Sequence, residues 1–351
     1  MDDKTLERWR FWWNADVLDR PVMQIFAPKN KAYINRIENA DEKWGSAEHI
    51  LERELAYVNN TLFLAEAAHV INPNWSVGTA CFFGCEPQFR DESVWVEPIY
   101  PDENILPEIC FRSDNVWYKF MLDFTRLCTE AYLCTKACEN NFFLTPHFGN
   151  SAADTLSLLR SDTVTMLDII ENPDWVSRAV KIIGNAIAHI FAEASSIIGK
   201  DHYYASWFGC VADEPVVIAD ADISCLISTQ QFENLFLGQI VEQIKLAPYS
   251  QYHLDGPGAL RHLDLLLAIP ELNAIQWVPG AGCDEIIQWT DLIRKVQMAG
   301  KAIMVYAKPD EVMALLDEVS PKGLCINTHC SSEDEALALY TAICNKYRTK
   351  S

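Results

Sequence analysis

The chain is short of positive charge: 28 lysines and arginines stand against 49 acidic residues, a net charge of −21 over 351 residues. Nucleic acids and anionic membrane surfaces both require a basic face, so neither is an expected partner. No apolar run approaches the ~20 residues that span a bilayer. The first residues, Met1 to Arg8, show no basic stretch followed by an apolar one, so no signal peptide is expected and the expected location is cytoplasmic. Neither a G-x-G-x-x-G fingerprint nor a Walker phosphate loop occurs, which argues against an open nucleotide-binding sheet. There is no low-complexity linker and no short internal repeat. The 12 cysteines are scattered rather than set in a disulfide framework. The pairs Cys81/Cys85 and Cys134/Cys138 lack partner pairs at zinc-ribbon spacing and read as buried thiols in a reducing compartment.

What is present is a regular alternation. Residues up to about 110 are irregular and aromatic: a short helix Leu6 to Trp13, a strand Val22 to Phe26, a long helix Ala47 to Ala68, and loops with short strands from Asn72 to Glu97, read as a lid or insertion. From Asn115 helices and strands alternate. A helix through about Glu139 precedes a strand near Asn141 to Thr145. The helix Pro173 to Gly199 precedes strands Tyr203 to Ala205 and Val216 to Ala219. Strands Tyr249 to His253, Ala274 to Trp277, Ala302 to Tyr306 and Gly323 to Asn327 are then separated by helices. These are Thr229 to Leu246, Ala259 to Ala268, Asp284 to Ala299 and Pro309 to Val319, and Glu333 to Tyr347 closes the chain. Short apolar strands between helices of ten or more residues mean an α/β protein with a parallel sheet covered by helices. With close to eight units, a single-domain closed (β/α)8 barrel over residues 1–351 is expected, about 1–110 forming an N-terminal extension and insertion. An open doubly wound sheet is the alternative.

Barrels of this type keep their chemistry at the C-terminal ends of the strands. Those ends carry His147, Trp207, Asp220 with Asp222, His253 with Asp255, Trp277, Tyr306 with Lys308, and His329 with Cys330. The segment Tyr252-His253-Leu254-Asp255-Gly256-Pro257-Gly258 is the most informative, its glycines suited to close backbone approach to a ligand. His253, Asp255 and Cys330 form a possible zinc set, leaving one position open for a substrate thiol. The alternative is that His253 and Asp255 hydrogen-bond without metal and Cys330 is buried; His329 would point away from Cys330. Asp220 is read as a site residue that fixes a substrate hydroxyl or amine or does acid–base work, with a helix cap as the alternative. Asp222 is read as a helix cap. His147, Trp207, Trp277 and Tyr306 are candidate pocket walls, with core packing the competing role of the aromatics and a plain place in a turn that of His147. Lys308 reads as a solvated loop residue. Arg261 and His262 read as helix-surface residues.

Several stretches, in order, give a family resemblance. These are Arg20-Pro21-Val22, Gly149-x-x-x-x-Asp154-x-Leu156-x-Leu158-Leu159-Arg160, Asp168 to Val176 with Asn172-Pro173, Asp220 to Phe236, Tyr252 to Gly256, and Cys330. Together they resemble the uroporphyrinogen decarboxylase-like superfamily, which includes the decarboxylase and zinc-dependent corrinoid methyltransferases on (β/α)8 barrels. The resemblance implies a methyltransferase moving a methyl group between a small substrate or thiol and a corrinoid on a partner protein. Zinc would lie on His253, Asp255 and Cys330, and the chain would form a homodimer. The methyltransferases carry His-x-Cys where this chain has His253-Leu254-Asp255. The Arg-Gln-Ala-Gly-Arg motif by which the decarboxylase binds substrate carboxylates is absent near Met23. A metal-free decarboxylase or lyase using Asp220, Asp255 and His253 is the second expectation. A non-catalytic ligand-binding barrel is the third.

Overall fold

The computed structural model describes residues 2–29, 39–135, 142–200, 202–280, 282–283 and 285–348. Thirteen strands are found among them: β1 Val22–Pro28, β2 Thr61–Ala65, β3 His69–Ile71, β4 Pro87–Phe89, β5 Val94–Val96, β6 Phe142–Leu144, β7 Tyr204–Ala205, β8 Val211–Ala212, β9 Val216–Ala219, β10 Tyr249–Asp255, β11 Ala274–Val278, β12 Ala302–Tyr306 and β13 Leu324–His329. Seven form a sheet in the order β2-β1-β13-β12-β11-β10-β9, parallel except for β2. A second sheet runs β3-β6-β7-β8, with β8 antiparallel, and β4–β5 is a separate hairpin. Among the described residues no ladder joins the two larger sheets, so the hydrogen-bonded structure is two arcs rather than a closed ring.

Alternation along the strands sorts side chains into two layers. Met23, Ile25, Ile275, Trp277, Ile303, Val305 and Ile326 pack beneath covering helices, against Val296, Leu315 and Ile343. Their neighbours Val22, Ala274, Ala302, Met304 and Cys325 pack with Val70, Phe143 and Ala205 of the second sheet. The inner faces of the two arcs therefore meet in one apolar interior. Polar side chains sit among them: Gln24, Gln251 and Gln276 are fully buried. Gln24 Nε2 donates to the Gly209 carbonyl at 2.8 Å and ties the arcs together.

Several helices differ from expectation. The helix expected over Ala47 to Ala68 stops at Asn60, because Thr61–Ala65 pairs antiparallel with β1. The half-buried apolar run Leu62, Phe63 and Leu64 suits that edge, and strand pairing overrides helical propensity. The stretch Thr229 to Leu246 contains a π turn at Glu233–Leu237. The region after β10 breaks into short pieces, Gly256–Ala259, Leu260–His262 and Leu263–Leu267. Pro173 opens a 26-residue helix ending at Ile198, as expected from proline's fit to a first helical turn. Cys81 and Cys85 are buried free thiols, but Cys134 is exposed, contrary to the expected packing, and Cys138 lies outside the described residues. Among the described residues no helix is long and apolar enough to cross a membrane.

Candidate active site

The inner-face parity of the strands carries one set of side chains to their C-terminal ends. Asp222 follows β9, and His253 and Asp255 end β10. Their candidate ligand atoms all lie within 4.8 Å of one another, the one such grouping among the described residues. His253 Nε2 is 3.9 Å from Asp222 Oδ1. On the other side of the ring, His253 Nδ1 contacts Gln276 Oε1. An amide oxygen only accepts, so Nδ1 carries the proton and Nε2 presents its lone pair toward Asp222. Burial pushes Asp222 up, a positive charge on a protonated His253 ring would oppose this, and the Asp255 charge adds to it. Two carboxylates held together beside an imidazole lone pair fit a divalent cation, which would relieve their repulsion.

Behind Asp222 lies a second acidic pair. Asp154 accepts the backbone N–H groups of Asp222 and Ile223, both at 2.8 Å, and so fixes the loop that carries Asp222. Asp220 Oδ1 accepts from the Ser151 backbone N–H at 2.7 Å, while Ser151 Oγ accepts from the Asp220 N–H at 3.0 Å. Burial, then the neighbouring Asp220 and Asp222 charges, hold Asp154 well above the usual carboxylate range. Burial and Asp222 push Asp220 up to about 7, and its side chain hydrogen-bonds Asp154. The two buried carboxyls therefore titrate together, both raised above the usual carboxylate range.

Two cavities open here. One of about 420 Å³ reaches Asp154 and Asp222 between the β4–β5 hairpin, through Trp95, and the loop at Leu226. The hairpin thus contributes Val94 and Trp95 to the wall of this cavity. The other, of about 380 Å³, is lined from both sheets, by Phe26, Tyr306, Asn327 and His329 of the larger and His69 and Val70 of the smaller. The loop Trp207-Phe208-Gly209 lines that second cavity, and the Phe208 ring stacks on His253 at 5.3 Å.

The structure thus brings His253, Asp255, Asp220 and Asp222 to one place, with Tyr306 and Trp207 on the adjoining cavity. It does not bring Cys330. Counting by twos from Asn327 and His329, Cys330 falls on the helix-facing side, where it packs in the outer apolar layer. Asp222, expected as a helix cap, takes its place in the ligand cluster; Asp154 caps that turn instead. Trp277 also belongs to the outer layer, fully buried against Trp289 at 5.0 Å, and is no pocket wall. His147 is buried, its ring 5.1 Å from Trp207, beside a small cavity of about 20 Å³. Burial lowers its pKa to about 4, so it stays neutral. Gly256 takes a left-handed φ of +72° to turn out of β10, while a Cβ on Gly258 would meet the Cys225 Cβ at 2.9 Å. The second glycine therefore accommodates a neighbouring loop rather than a ligand. Lys308 is exposed and pairs with Glu285 at 2.6 Å. Buried His262 meets the Ser224 carbonyl at 2.9 Å, contrary to a surface role. Arg160 and Asp168, both within the resembling stretches, form a buried ion pair at 2.8 Å that also binds the carbonyls of Tyr100, Asp102 and Ile105. Their work is structural. Gln276, Phe208 and Asn327 were missed, although each is a polar or aromatic residue on an otherwise apolar strand or beside the flagged Trp207.

No protein-family model and no curated protein matches this sequence. Among solved structures, a methyltransferase from Methanosarcina mazei superposes with a TM-score of 0.63, over 98% of this chain and 99% of that one, at 13% identity. The chain shares that protein's fold over nearly its whole length.

Proposed function

We propose that this chain is a metal-dependent methyltransferase built on a (β/α)8 barrel whose two arcs enclose one interior. Asp222, His253 and Asp255 hold one divalent cation, zinc or a similar ion. The observation that carries the reading is the arrangement at His253: a ring nitrogen whose lone pair is fixed by Gln276 and faces two clustered carboxylates. The whole-chain likeness to a methyltransferase supports the reaction class. The corrinoid on a partner protein is carried by the resemblance of the sequence stretches.

Such a cation supplies Lewis acidity, lowering the pKa of a thiol or water at its open position. Carboxylates give a metal less charge than thiolates do, so this donor set keeps the ion more electrophilic than a cysteine-rich one. The chain's own groups do the rest. Asp222, His253 and Asp255 would hold the ion and so fix where a reactant binds, and Asp220, near 7 beside Asp154, would be suited to hold a proton released there.

Metal content of protein purified without chelator tests the reading, together with Asp222→Ala and His253→Ala variants. About one divalent ion per chain is expected, lost in both variants along with transfer of methyl from methylcobalamin to a simple thiol. A metal-free wild type that retains turnover would refute it. That outcome would favour a metal-free decarboxylase or lyase, which the near-neutral Asp220 also suits as an acid–base group.

A further inference from the structure

Three sulfur atoms meet in the interior, drawn from both arcs. Met304 of β12 and Cys325 of β13 stand in register on the inner face of the larger sheet. Cys210 leads into β8 of the smaller sheet and reaches them. Its Sγ lies 3.7 Å from Met304 Sδ, and the Cys325 thiol hydrogen-bonds to it. The Cys210 backbone N–H donates to Ser206 Oγ at 3.2 Å, which holds that turn in place. All three side chains, and Gln251 of β10 beside them, are fully buried. The cavity of about 380 Å³ adjoins them, lined by Gly209, next to Cys210, and by Tyr306, two residues on from Met304.

Thiols and thioethers fill protein cores as ordinary apolar groups, and that role needs no amide. Gln251 is there nonetheless. Its Nε2 lies 3.5 Å from Cys210 Sγ and 3.9 Å from Met304 Sδ, and its Oε1 has no hydrogen-bond partner. Neutral sulfur is a weak acceptor, so burying this amide among sulfurs is a cost. A thiolate reverses the balance, because it accepts an N–H bond of the stronger, charge-assisted kind. Burial, then the hydrogen bond to Cys210, holds the Cys325 thiol well above the usual thiol range. A thiolate therefore forms here only when a cation takes the place of the proton. Two thiols and a thioether are soft donors, which favour Cu(I) over the hard cations that carboxylates bind.

We propose that Cys210, Cys325 and Met304 bind one Cu(I) ion between the two arcs, with Gln251 donating to the thiolate. A d10 ion about 2.3 Å from each sulfur holds its sulfur ligands roughly 3.7–4.0 Å apart. Cys210 and Met304 already have that spacing. Binding forms the copper–sulfur bonds and breaks one S–H bond, whose proton passes to solvent. No electron moves, and a single thiolate leaves the buried site neutral. The ion joins two sheets that no ladder joins among the described residues. The site shares no residue with the Asp222–His253–Asp255 cluster and does not rest on the methyltransferase reading.

The test uses the reduced full chain, its exposed cysteines Cys110, Cys134, Cys225 and Cys283 first alkylated in the native state. Cu(I) is then supplied anaerobically as its bathocuproine disulfonate complex. About one Cu(I) per chain is expected to pass to the protein. The melting temperature should rise with it, as for any ligand that binds only the folded state. Both effects should be lost in Cys210→Ala and Cys325→Ala. Should those variants fail to fold, Met304→Leu and Gln251→Leu decide, since each keeps the side-chain volume. Each is expected to fold and to bind Cu(I) at least about tenfold more weakly. Plain core packing predicts no such loss for Gln251→Leu. Asp222→Ala should bind Cu(I) as the wild type does, even where it removes the other metal. No Cu(I) retained by the wild type, or wild-type retention by Met304→Leu or Gln251→Leu, would overturn the proposal.

Discussion

His253 meets Gln276 through Nδ1, and that contact decides which face of the imidazole looks toward Asp222. Gln276 is fully buried, one strand away, in register with His253 itself. Replacing it with leucine keeps the volume and removes the acceptor. The ring then loses its fixed tautomer and orientation. Removing such a supporting partner typically costs 10–100-fold in metal affinity, so Gln276→Leu is expected to bind the ion about 10–100-fold more weakly while folding normally. Competition with a chromophoric chelator measures this, and unchanged affinity would show that Gln276 does not orient the ligand.

The raised pKa of buried Asp220 gives stability a definite pH dependence. Asp220 lies near 7 in the folded chain against an ordinary 3.8. Below pH 4 both states are protonated and the group contributes nothing. Between about 4 and 7 the folded state keeps a proton that the unfolded state has released, so stability falls as pH rises; above 7 the penalty is constant. Asp220→Asn keeps an oxygen for the Ser151 N–H and a donor for Asp154, without the ionisation. Each pKa unit corresponds to about 1.4 kcal/mol. The variant is therefore expected to match wild type near pH 4 and to be more stable at pH 8, as melting curves at the two pH values would show. Equal curves at pH 8 would mean that no buried charge is strained there.

How much of this was readable from residue order varies by element. β1 and β9 to β13 were legible because apolar runs between helices have few other solutions, and the site residues of β10 followed from their place at a strand end. The same counting by twos that places His253 and Asp255 inside also turns Trp277 and Cys330 outward, and there the chemistry of the residue type had outweighed its parity. Gln24, Gln276 and Asn327 interrupt apolar strands and were visible as anomalies, but their meaning depends on partners as many as 303 positions away. Asp154 could not be placed from sequence, since a carboxylate inside a helix is ordinary until the Asp222 loop folds over it. The Ala47 to Ala68 helix failed at its end because the pairing of Thr61–Ala65 with β1 is a tertiary interaction.

The outward turn of Cys330 makes its own prediction. Burial, then the Glu335 charge, pushes its thiol up to about 11, so it is protonated at neutral pH and a poor ligand. Cys330→Ala is expected to keep the full metal content and to lose only about 1 kcal/mol of stability, as small truncations in a packed layer do. Metal analysis of this variant beside Asp222→Ala separates the two ligand sets: loss in the cysteine variant, with retention in the aspartate one, would restore the arrangement inferred from sequence resemblance.

A buried ion cluster sits at the start of β1. Glu66 is fully buried, accepts from Arg20 Nη1 at 2.6 Å and Nη2 at 2.8 Å, from Arg8 at 2.9 Å, and from the Met23 backbone N–H at 3.1 Å. It therefore ties the N-terminal helix and the Arg20 turn to the first strand. A buried pair adds little over an apolar replacement, yet removing one partner is costly because it strands the other charge. Glu66→Gln leaves Arg20, 5% exposed, without its carboxylate. The expected loss is about 3–5 kcal/mol in urea unfolding. Arg20→Met should cost a comparable amount, and the double variant Arg20→Met/Glu66→Gln clearly less than the sum of the two, since the second change removes a charge already stranded by the first. Strict additivity would mean that the guanidinium finds other partners or water once Glu66 is gone, and that the cluster is an accessory to the N-terminal packing rather than its anchor.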